Sequence, residues 1–285
     1  MTNLSSNTNP SFISKAFIGI TKIAKPCMRY AWQFLYNQLA EKDSKNLLLF
    51  MNYGYSDNEN EENKKADKIT LKAEDEAFRY PIQLYAKVIK DLDLRDKTIA
   101  EIGCGRGGGG AYLLRYADLH QYIGIDLSAK AIKKCKLQHN FNNAEWLQGN
   151  AENLPIDSNT VDILINVESS HCYPSMLNFL NEAYRVLKKE GQFAFCDLRP
   201  AAELATLENQ INISKFKILD KQIITPQIIS ALDKLSQEKE QNIISKLPKF
   251  LQPALRDFMA TKNSAMYNAF VNGEMAYVYY LCSAV

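Results

Sequence analysis

The feature that most constrains this chain is a run of six glycines in eight positions, residues 103–110, within "AEIGCGRGGGGAYLL". Glycine has no side chain, so such a run packs nothing and costs backbone entropy. The run follows a short apolar strand pattern, "KTIAEIG", and precedes an apolar helical pattern, "AYLLRYA". A glycine-rich turn from strand to helix brings the backbone close to a ligand. We therefore expect a fold built around a cofactor, although this turn alone fits several cofactor classes.

The rhythm of strands and helices after residue 96 predicts the fold. Apolar strand patterns end at "EIG", "GIDLS", "LQGN", "NVES" and "CDLR", and helical patterns separate most of them. Such alternation predicts a doubly wound, Rossmann-like α/β sheet with right-handed crossovers. Ser128 is expected to cap one helix, and Gly191 to end the helix of "SMLNFLNEAYRVLKKEG". "FKILDKQIIT" is expected to form an edge strand, and "EMAYVYYLCSAV" the last strand.

Helical patterns flank this sheet on both sides. Residues 12–39 repeat apolar side chains at steps of three and four, and residues 226–268 form a helical insert. We expect a helical N-terminal extension or lid (1–94), a cofactor-binding core (95–200), and substrate-lid helices with the closing strands (201–285). Lysines among the N-terminal helices leave two roles open, packing on the core or peripheral contact with a membrane. Nothing in these sequence patterns indicates an oligomeric state.

Composition and charge exclude several classes of protein. A net charge of +2 does not indicate a nucleic-acid partner. The six cysteines are scattered without a CxxC pair, so neither a disulfide framework nor a metal site is expected. No stretch reaches the ~18 apolar residues of a membrane span, and the polar start "MTNLSSNTNP" does not resemble a secretory signal. We expect a cytoplasmic protein with free thiols.

Residues at three strand ends predict the cofactor site. Gly103, Gly105 and Gly108 satisfy the G-x-G-x-x-G pattern. Asp126 ends the second strand, where a carboxylate binds ribose hydroxyls. These features fit both a nicotinamide dinucleotide and S-adenosylmethionine. Glu101 separates the two, because its charge repels a pyrophosphate and attracts the ammonium and sulfonium of S-adenosylmethionine.

The segment "QGNAENLP" also favours S-adenosylmethionine. Asn150 is able to accept from the exocyclic amine of adenine, and the amide of Ala151 to donate to a ring nitrogen. An aromatic cluster, "YGY", is expected to fold over the ligand. The predicted cofactor-binding residues are Glu101, Gly103, Gly105, Gly107, Asp126, Leu127, Asn150, Ala151, Glu152, Asn166 and, in the aromatic cluster, Tyr53.

These motifs resemble those of the class I S-adenosylmethionine-dependent methyltransferases. "MNYGY", "EDEAFRYPIQLY", "NVESSHCYPSMLNFLNEAYRVLKKEGQFAFCDLRP" and "RDFMATKNSAMYNAFVNGEMAYVYY" further resemble the phthiotriolone/phenolphthiocerol dimycocerosate O-methyltransferase family, from about residue 30 onward. The resemblance implies methylation of a hydroxyl on a hydrophobic, lipid- or polyketide-like acceptor. Asn150 stands where that family usually has Asp, so it keeps an acceptor and loses a charge.

The candidate general base is His171, just past the fourth strand on the ligand edge of the sheet. Asp197 ends the neighbouring fifth strand, and a carboxylate that orients an imidazole suits it to deprotonate an alcohol. The resemblance implies the same roles, base for His171 and partner for Asp197. His120 and His139 are interpreted as surface residues, and the flanking Cys172 as a small space-filling side chain.

Two alternative functions stay open on the sequence. A C- or N-methyltransferase on the same fold would use a nucleophile with its own electron pair and would not need His171. A nicotinamide-dependent oxidoreductase would share the glycine pattern and Asp126, but Glu101 and "GNAENLP" argue against it.

Overall fold

The computed structural model describes residues 49–57, 69–246, 249 and 252–285. Within them, seven strands form one sheet in the order β3-β2-β1-β4-β5-β7-β6, with β7 antiparallel to both neighbours. The strands are β1 Thr98–Ile102, β2 Gln121–Asp126, β3 Ala144–Gln148, β4 Val161–Val167, β5 Leu187–Pro200, β6 Phe216–Ile223 and β7 Met275–Ala284. The predicted doubly wound α/β sheet is confirmed, as are the edge strand and the closing strand.

Helices cover both faces of this sheet. They are α1 Arg79–Ile89, α2 Gly108–Tyr116, α3 Ala129–Gln138, α4 Met176–Val186, α5 Leu204–Ile213, α6 Thr225–Asn242, α7 Gln252–Phe258 and α8 Ala265–Val271. The last three form the predicted helical insert between β6 and β7. The helices predicted for residues 12–39 lie outside the described residues, and the domain boundaries after residues 94 and 200 stay predictions. No helix within the described part is long and apolar enough to cross a membrane.

Side chains along the inner strands alternate between two apolar layers, as the pleat of a strand requires. In β7, Tyr277 joins the layer that contains α1, α2, α3 and α6, whereas Tyr280 joins the layer with α4 and α5. In β1, Ile99 belongs to the first layer and Ile102 to the second. Both faces of the inner strands are buried, as is typical of parallel strands that helices cover on both sides. Alternation places Glu101 on the face that α1 and α2 cover.

The end predicted for the helix before β5 is wrong. The predicted cap was Gly191, but α4 ends at Val186, and Leu187 already pairs with Val161 of β4. The register then shifts, so the residues up to Gly191 form an irregular stretch of β5 in which Glu190 takes a φ of +63°. The helical pattern of "RVLKKEG" runs on past this point because pairing with a distant strand leaves no mark in the local sequence.

The strand order reverses between β1 and β4. In open α/β sheets, ligands bind at the carboxyl ends of the strands beside such a reversal. The glycine turn follows β1, and the loop that carries His171 follows β4, so both lie at this edge.

Candidate active site

An open cleft lies where the strand order reverses. Its walls come from residues 49–52, Tyr85 of α1, the glycine turn, and the residues that follow β4. Two charged residues line it in the described part of the chain, Arg106 and Glu168. The predicted glycine turn therefore faces a cavity that is bounded by a basic and an acidic side chain.

The glycine turn is fixed from behind. The amides of Gly103 and Cys104 both donate to the carbonyl of Ile125, at 2.8 and 3.0 Å. Gly107 starts α2 with a φ of +79°, a left-handed conformation that favours glycine, and a Cβ there would stand 2.7 Å from the ring of His139. His139 was interpreted as a surface residue, but it is half-buried, and its Nε2 lies 2.9 Å from the carbonyl of Arg106.

The two glycines beyond the cofactor motif make room for two tyrosines. A Cβ at Gly109 would stand 2.1 Å from the ring of Tyr85, and one at Gly110 would stand 2.4 Å from the ring of Tyr122. Both hydroxyls donate to Glu101, Tyr85 to Oε1 at 2.6 Å and Tyr122 to Oε2 at 2.5 Å. Neither tyrosine was predicted from the sequence. The signal that could have indicated a large neighbouring side chain is the presence of Gly109 and Gly110, which the cofactor motif does not require.

Glu101 is fully buried beneath these tyrosines. Burial raises the pKa of its carboxyl to about 7, although the two hydroxyl donors oppose that change. Tyr85 lines the cleft, and its hydroxyl donates to Glu101. This hydrogen bond is the link between the buried carboxylate and the cleft.

Asp126 ends β2 directly beside the turn. Its Oδ2 accepts from the amide of Gly105 at 2.9 Å and its Oδ1 from the amide of Ser128 at 2.8 Å. Burial raises the pKa of Asp126, and these two amides oppose that change. Ser128 caps α3 as predicted, because its side chain accepts from the amide of Ala131. The carbonyl of the intervening Leu127 accepts from the side chain of Gln148, which belongs to β3, at 3.3 Å.

The "NAEN" segment forms a tight turn beside β2. The side-chain oxygen of Asn150 accepts from the amide of Glu152 at 3.2 Å, and Ala151 between them is buried. The carboxylate of Glu152 accepts from the amide of Ser175 at the start of α4, at 2.6 Å. These contacts give the turn its shape, and the roles of the segment toward adenine stay predictions.

Asn166 is buried in β4 behind the glycine turn. Its amide nitrogen donates to the carbonyl of Ile102 at 2.8 Å and to the hydroxyl of Tyr173 at 3.0 Å. The same hydroxyl lies 2.6 Å from Oγ of Ser169, which would meet any side chain at Gly103. Asn166 thus joins the end of β1 to the loop after β4.

His171 and Asp197 lie side by side at the ligand edge. Nδ1 of His171 is 2.8 Å from Oδ1 of Asp197. Asp197 is fully buried, its Oδ2 accepts from the hydroxyl of Ser170 at 2.6 Å, and Arg199 lies 3.1 Å from that oxygen. Burial would raise the pKa of Asp197, but the charges of His171 and Arg199 hold it well below its usual range. Asp197 is therefore a carboxylate that fixes the imidazole.

The His171 side chain is about 35% exposed, whereas its partner Asp197 is fully buried. Burial would lower its pKa, but the charges of Cys172 and Asp197 raise the pKa well above its usual value. Cys172 was interpreted as space-filling, yet it is exposed, and the charge of His171 lowers its thiol pKa against the effect of burial. Nδ1 of His171 faces Asp197, and the imidazole also hydrogen-bonds to the side chain of Cys172.

Tyr53 connects the cleft to the helical insert. Its amide donates to Oε1 of Glu168 at 2.6 Å, and its hydroxyl donates to the carbonyl of Phe258 at 3.1 Å. The hydroxyl of Tyr277 donates to the same oxygen of Glu168 at 2.7 Å. These contacts join the segment that carries Tyr53 to the end of β4 and to the end of α7, and its role over a ligand stays a prediction.

Comparison with known proteins identifies this arrangement. The sequence model of the methyltransferase domain family matches residues 100–195, which carry the glycine turn and His171. The phthiotriol/phenolphthiotriol dimycocerosates methyltransferase of Mycobacterium tuberculosis is 33% identical over 249 residues, which make up 87% of this chain and 90% of that protein. The chain belongs to this methyltransferase family.

The methyltransferase also resembles a fatty-acid O-methyltransferase of Mycolicibacterium smegmatis, with 32% identity over 75% of this chain and 74% of that protein. Its fold matches the geranyl diphosphate C-methyltransferase of Streptomyces coelicolor A3(2), solved with S-adenosyl-L-homocysteine. That likeness has a TM-score of 0.62 at 17% identity and covers 89% of this chain and 98% of the other. The enzyme is thus a class I, S-adenosylmethionine-dependent methyltransferase, and the oxidoreductase alternative is set aside.

Proposed function

We propose that this methyltransferase transfers a methyl group from S-adenosylmethionine to a hydroxyl of a hydrophobic, lipid- or polyketide-like acceptor, with His171 as the general base. The observation that carries the proposal is the 2.8 Å contact between Nδ1 of His171 and Oδ1 of Asp197 at the ligand edge. An alcohol that still carries its hydroxyl proton is a poor nucleophile, so its methylation gains most from a base placed within ~3 Å.

The cofactor, when bound, supplies an electrophilic methyl group on a sulfonium sulfur. The glycine turn approaches its amino-acid end, Asp126 binds the ribose, and Asn150 with Ala151 binds the adenine. A turn in which side chains would collide with their neighbours, beside a cleft with one acid and one base, suits a zwitterionic ligand.

The base acts through one tautomer of its ring. Asp197 keeps the proton on Nδ1 of His171, which leaves the lone pair of Nε2 toward the acceptor. Nε2 would take the hydroxyl proton as the acceptor oxygen bonds to the methyl carbon and the bond from that carbon to sulfur breaks, which would leave S-adenosylhomocysteine. The imidazolium that results lies against a carboxylate that Arg199 and Ser170 hold in its charged form.

The acceptor class rests on the relatives. One is named for phthiotriol and phenolphthiotriol dimycocerosates, and another for fatty acids. These two kinds of acceptor differ in whether their methylation requires His171 as a base. A fatty acid is already a carboxylate at neutral pH, so its methylation needs no base, whereas an alcohol does.

The experiment supplies methyl-labelled S-adenosylmethionine with a long-chain secondary alcohol, a fatty acid of equal length or an alkylamine. We expect label on the alcohol oxygen, located by mass spectrometry, and its loss in His171→Ala. Label on the fatty acid alone, with equal rates in wild type and His171→Ala, would contradict the proposal. Label on carbon or nitrogen would favour the alternative methyltransferases.

A further inference from the structure

Three acidic side chains surround the glycine turn, and they differ in which oxygens are already used. Glu101 has both oxygens on tyrosine hydroxyls. Asp126 has both on backbone amides. Glu168 instead receives both of its hydrogen bonds, from the amide of Tyr53 and the hydroxyl of Tyr277, on Oε1. Among the residues that the structure describes, none donates a hydrogen bond to Oε2 of Glu168.

Glu168 is also the one of these three that lines the cleft. It directly follows β4, its amide donates to the carbonyl of Cys196 at 2.8 Å, and its φ is +45°. A left-handed φ is uncommon for a residue with a long side chain, and such strain concentrates at functional sites. Glu168 is thus held in an unfavourable conformation with one carboxylate oxygen left for a ligand.

The charges around the cleft match an amino-acid group. Glu168 and Arg106 are the charged residues among its described lining, one acidic and one basic. The amino-acid end of S-adenosylmethionine carries an ammonium and a carboxylate. Burial raises the pKa of Glu168 to about 7, and a cation beside Oε2 would offset that burial by favouring the charged carboxylate.

We propose that Glu168 binds the α-ammonium group of S-adenosylmethionine through Oε2. Glu101, to which the sequence assigned the cationic ligand, instead positions Tyr85 and Tyr122 behind the turn. The inference rests on the proposed methyl transfer from S-adenosylmethionine, but it does not depend on the acceptor or on His171.

A double-mutant cycle between protein and ligand tests the pairing. The ligands are S-adenosylhomocysteine and its desamino analogue, which lacks only the ammonium, and calorimetry measures their binding to the full chain without acceptor. In wild type, we expect removal of the ammonium to weaken binding about 10- to 100-fold, the range of a charge-assisted hydrogen bond. In Glu168→Gln, the same removal should cost less than about threefold, because the amide offers no charge to the ammonium.

The matched control is Glu101→Gln, the same change in a neighbouring buried acid. Glu168→Gln keeps an oxygen for Tyr53 and Tyr277, so the fastening of that segment is retained. We expect Glu101→Gln to preserve the full preference for the ammonium. Loss of that preference in Glu101→Gln, its survival in Glu168→Gln, or its absence in wild type would overturn the assignment.

If Glu168→Gln does not fold, Glu101→Gln still tests the inference. Loss of the preference for the ammonium in Glu101→Gln would refute the inference, and retention of that preference would support it. The proposed acceptor chemistry fails separately. A chain that shows the predicted ligand preference yet methylates no alcohol would refute the role of His171 and leave that of Glu168 standing.

Discussion

A Cβ atom at Gly109 would stand 2.1 Å from Cε1 of Tyr85, inside the ring's own van der Waals surface. Gly109→Ala must therefore displace Tyr85 and break its hydrogen bond to Glu101. We expect this change to lower the free energy of unfolding by about 2–4 kcal/mol, from overpacking together with a disrupted buried hydrogen bond. Urea denaturation measures it.

Gly273→Ala is the matched control. Gly273 has a φ of +73°, but no atom lies within 4 Å of the point where a Cβ would stand, so the strain of a left-handed alanine is its only expected cost, about 1 kcal/mol. Equal stability of Gly109→Ala and wild type would show that Tyr85 is not held as described.

The buried carboxyl of Glu101 predicts a pH dependence of stability. Its folded pKa of about 7 lies above the ordinary value of 4.5, so folding favours the protonated form. This contribution is complete below pH 4.5 and is lost as the pH rises through 7, by about 3 kcal/mol in all. Ligand-free Glu101→Gln should therefore gain stability relative to wild type between pH 5 and pH 8.

Urea denaturation at both pH values measures that gain, and Glu203→Gln, a change at an exposed position, is the control. A difference between Glu101→Gln and wild type that does not change with pH would contradict the assignment of the buried acid.

The raised pKa of His171 predicts a pH dependence of the rate. The base acts when neutral, so kcat/KM for an alcohol should rise with pH and level off only above the usual histidine range. Asp197→Asn should move this limb to lower pH, because a charge that stabilises the imidazolium is gone. Its plateau should also fall by about 100-fold or more, because the ring loses its orienting carboxylate.

Cys172→Ser separates the two effects. It removes the thiolate, whose negative charge also raises the pKa of His171, while the contact with Asp197 remains. The limb should shift to lower pH with little change in the plateau. A limb that stays in place in both variants would mean that His171 is not the titrating group.

Asp126 should affect affinity rather than chemistry. Asp126→Ala removes the predicted ribose ligand and the acceptor for the amides of Gly105 and Ser128. We expect binding of both S-adenosylhomocysteine and 5′-methylthioadenosine to weaken about 10-fold or more, since both contain the ribose, while turnover at saturating cofactor changes little. A loss of turnover at saturating cofactor as large as the loss of ligand affinity would argue against a role of Asp126 in binding alone.

Local signals in the sequence were enough to predict much of the site. Each strand end and the glycine turn is recognisable from a short contiguous stretch of residues, so the sheet and the position of the cleft could be predicted. The pair formed by His171 and Asp197 also followed, because the ends of neighbouring parallel strands meet at one edge.

The remainder depended on contacts between distant segments. Tyr85 and Tyr122 belong to apolar patterns of a helix and a strand, and only the folded chain brings their hydroxyls to Glu101. The start of β5 was missed because Leu187 finds its partner 26 residues earlier in the chain. The free oxygen of Glu168 depends on its backbone conformation, which no residue pattern encodes.

The most direct test of the central claim is the turnover of His171→Ala with an alcohol acceptor, measured beside its affinity for S-adenosylhomocysteine. We expect turnover to fall by ~10²-fold or more while that affinity stays within about threefold of wild type. Turnover equal to that of wild type would contradict the claim that His171 takes the proton.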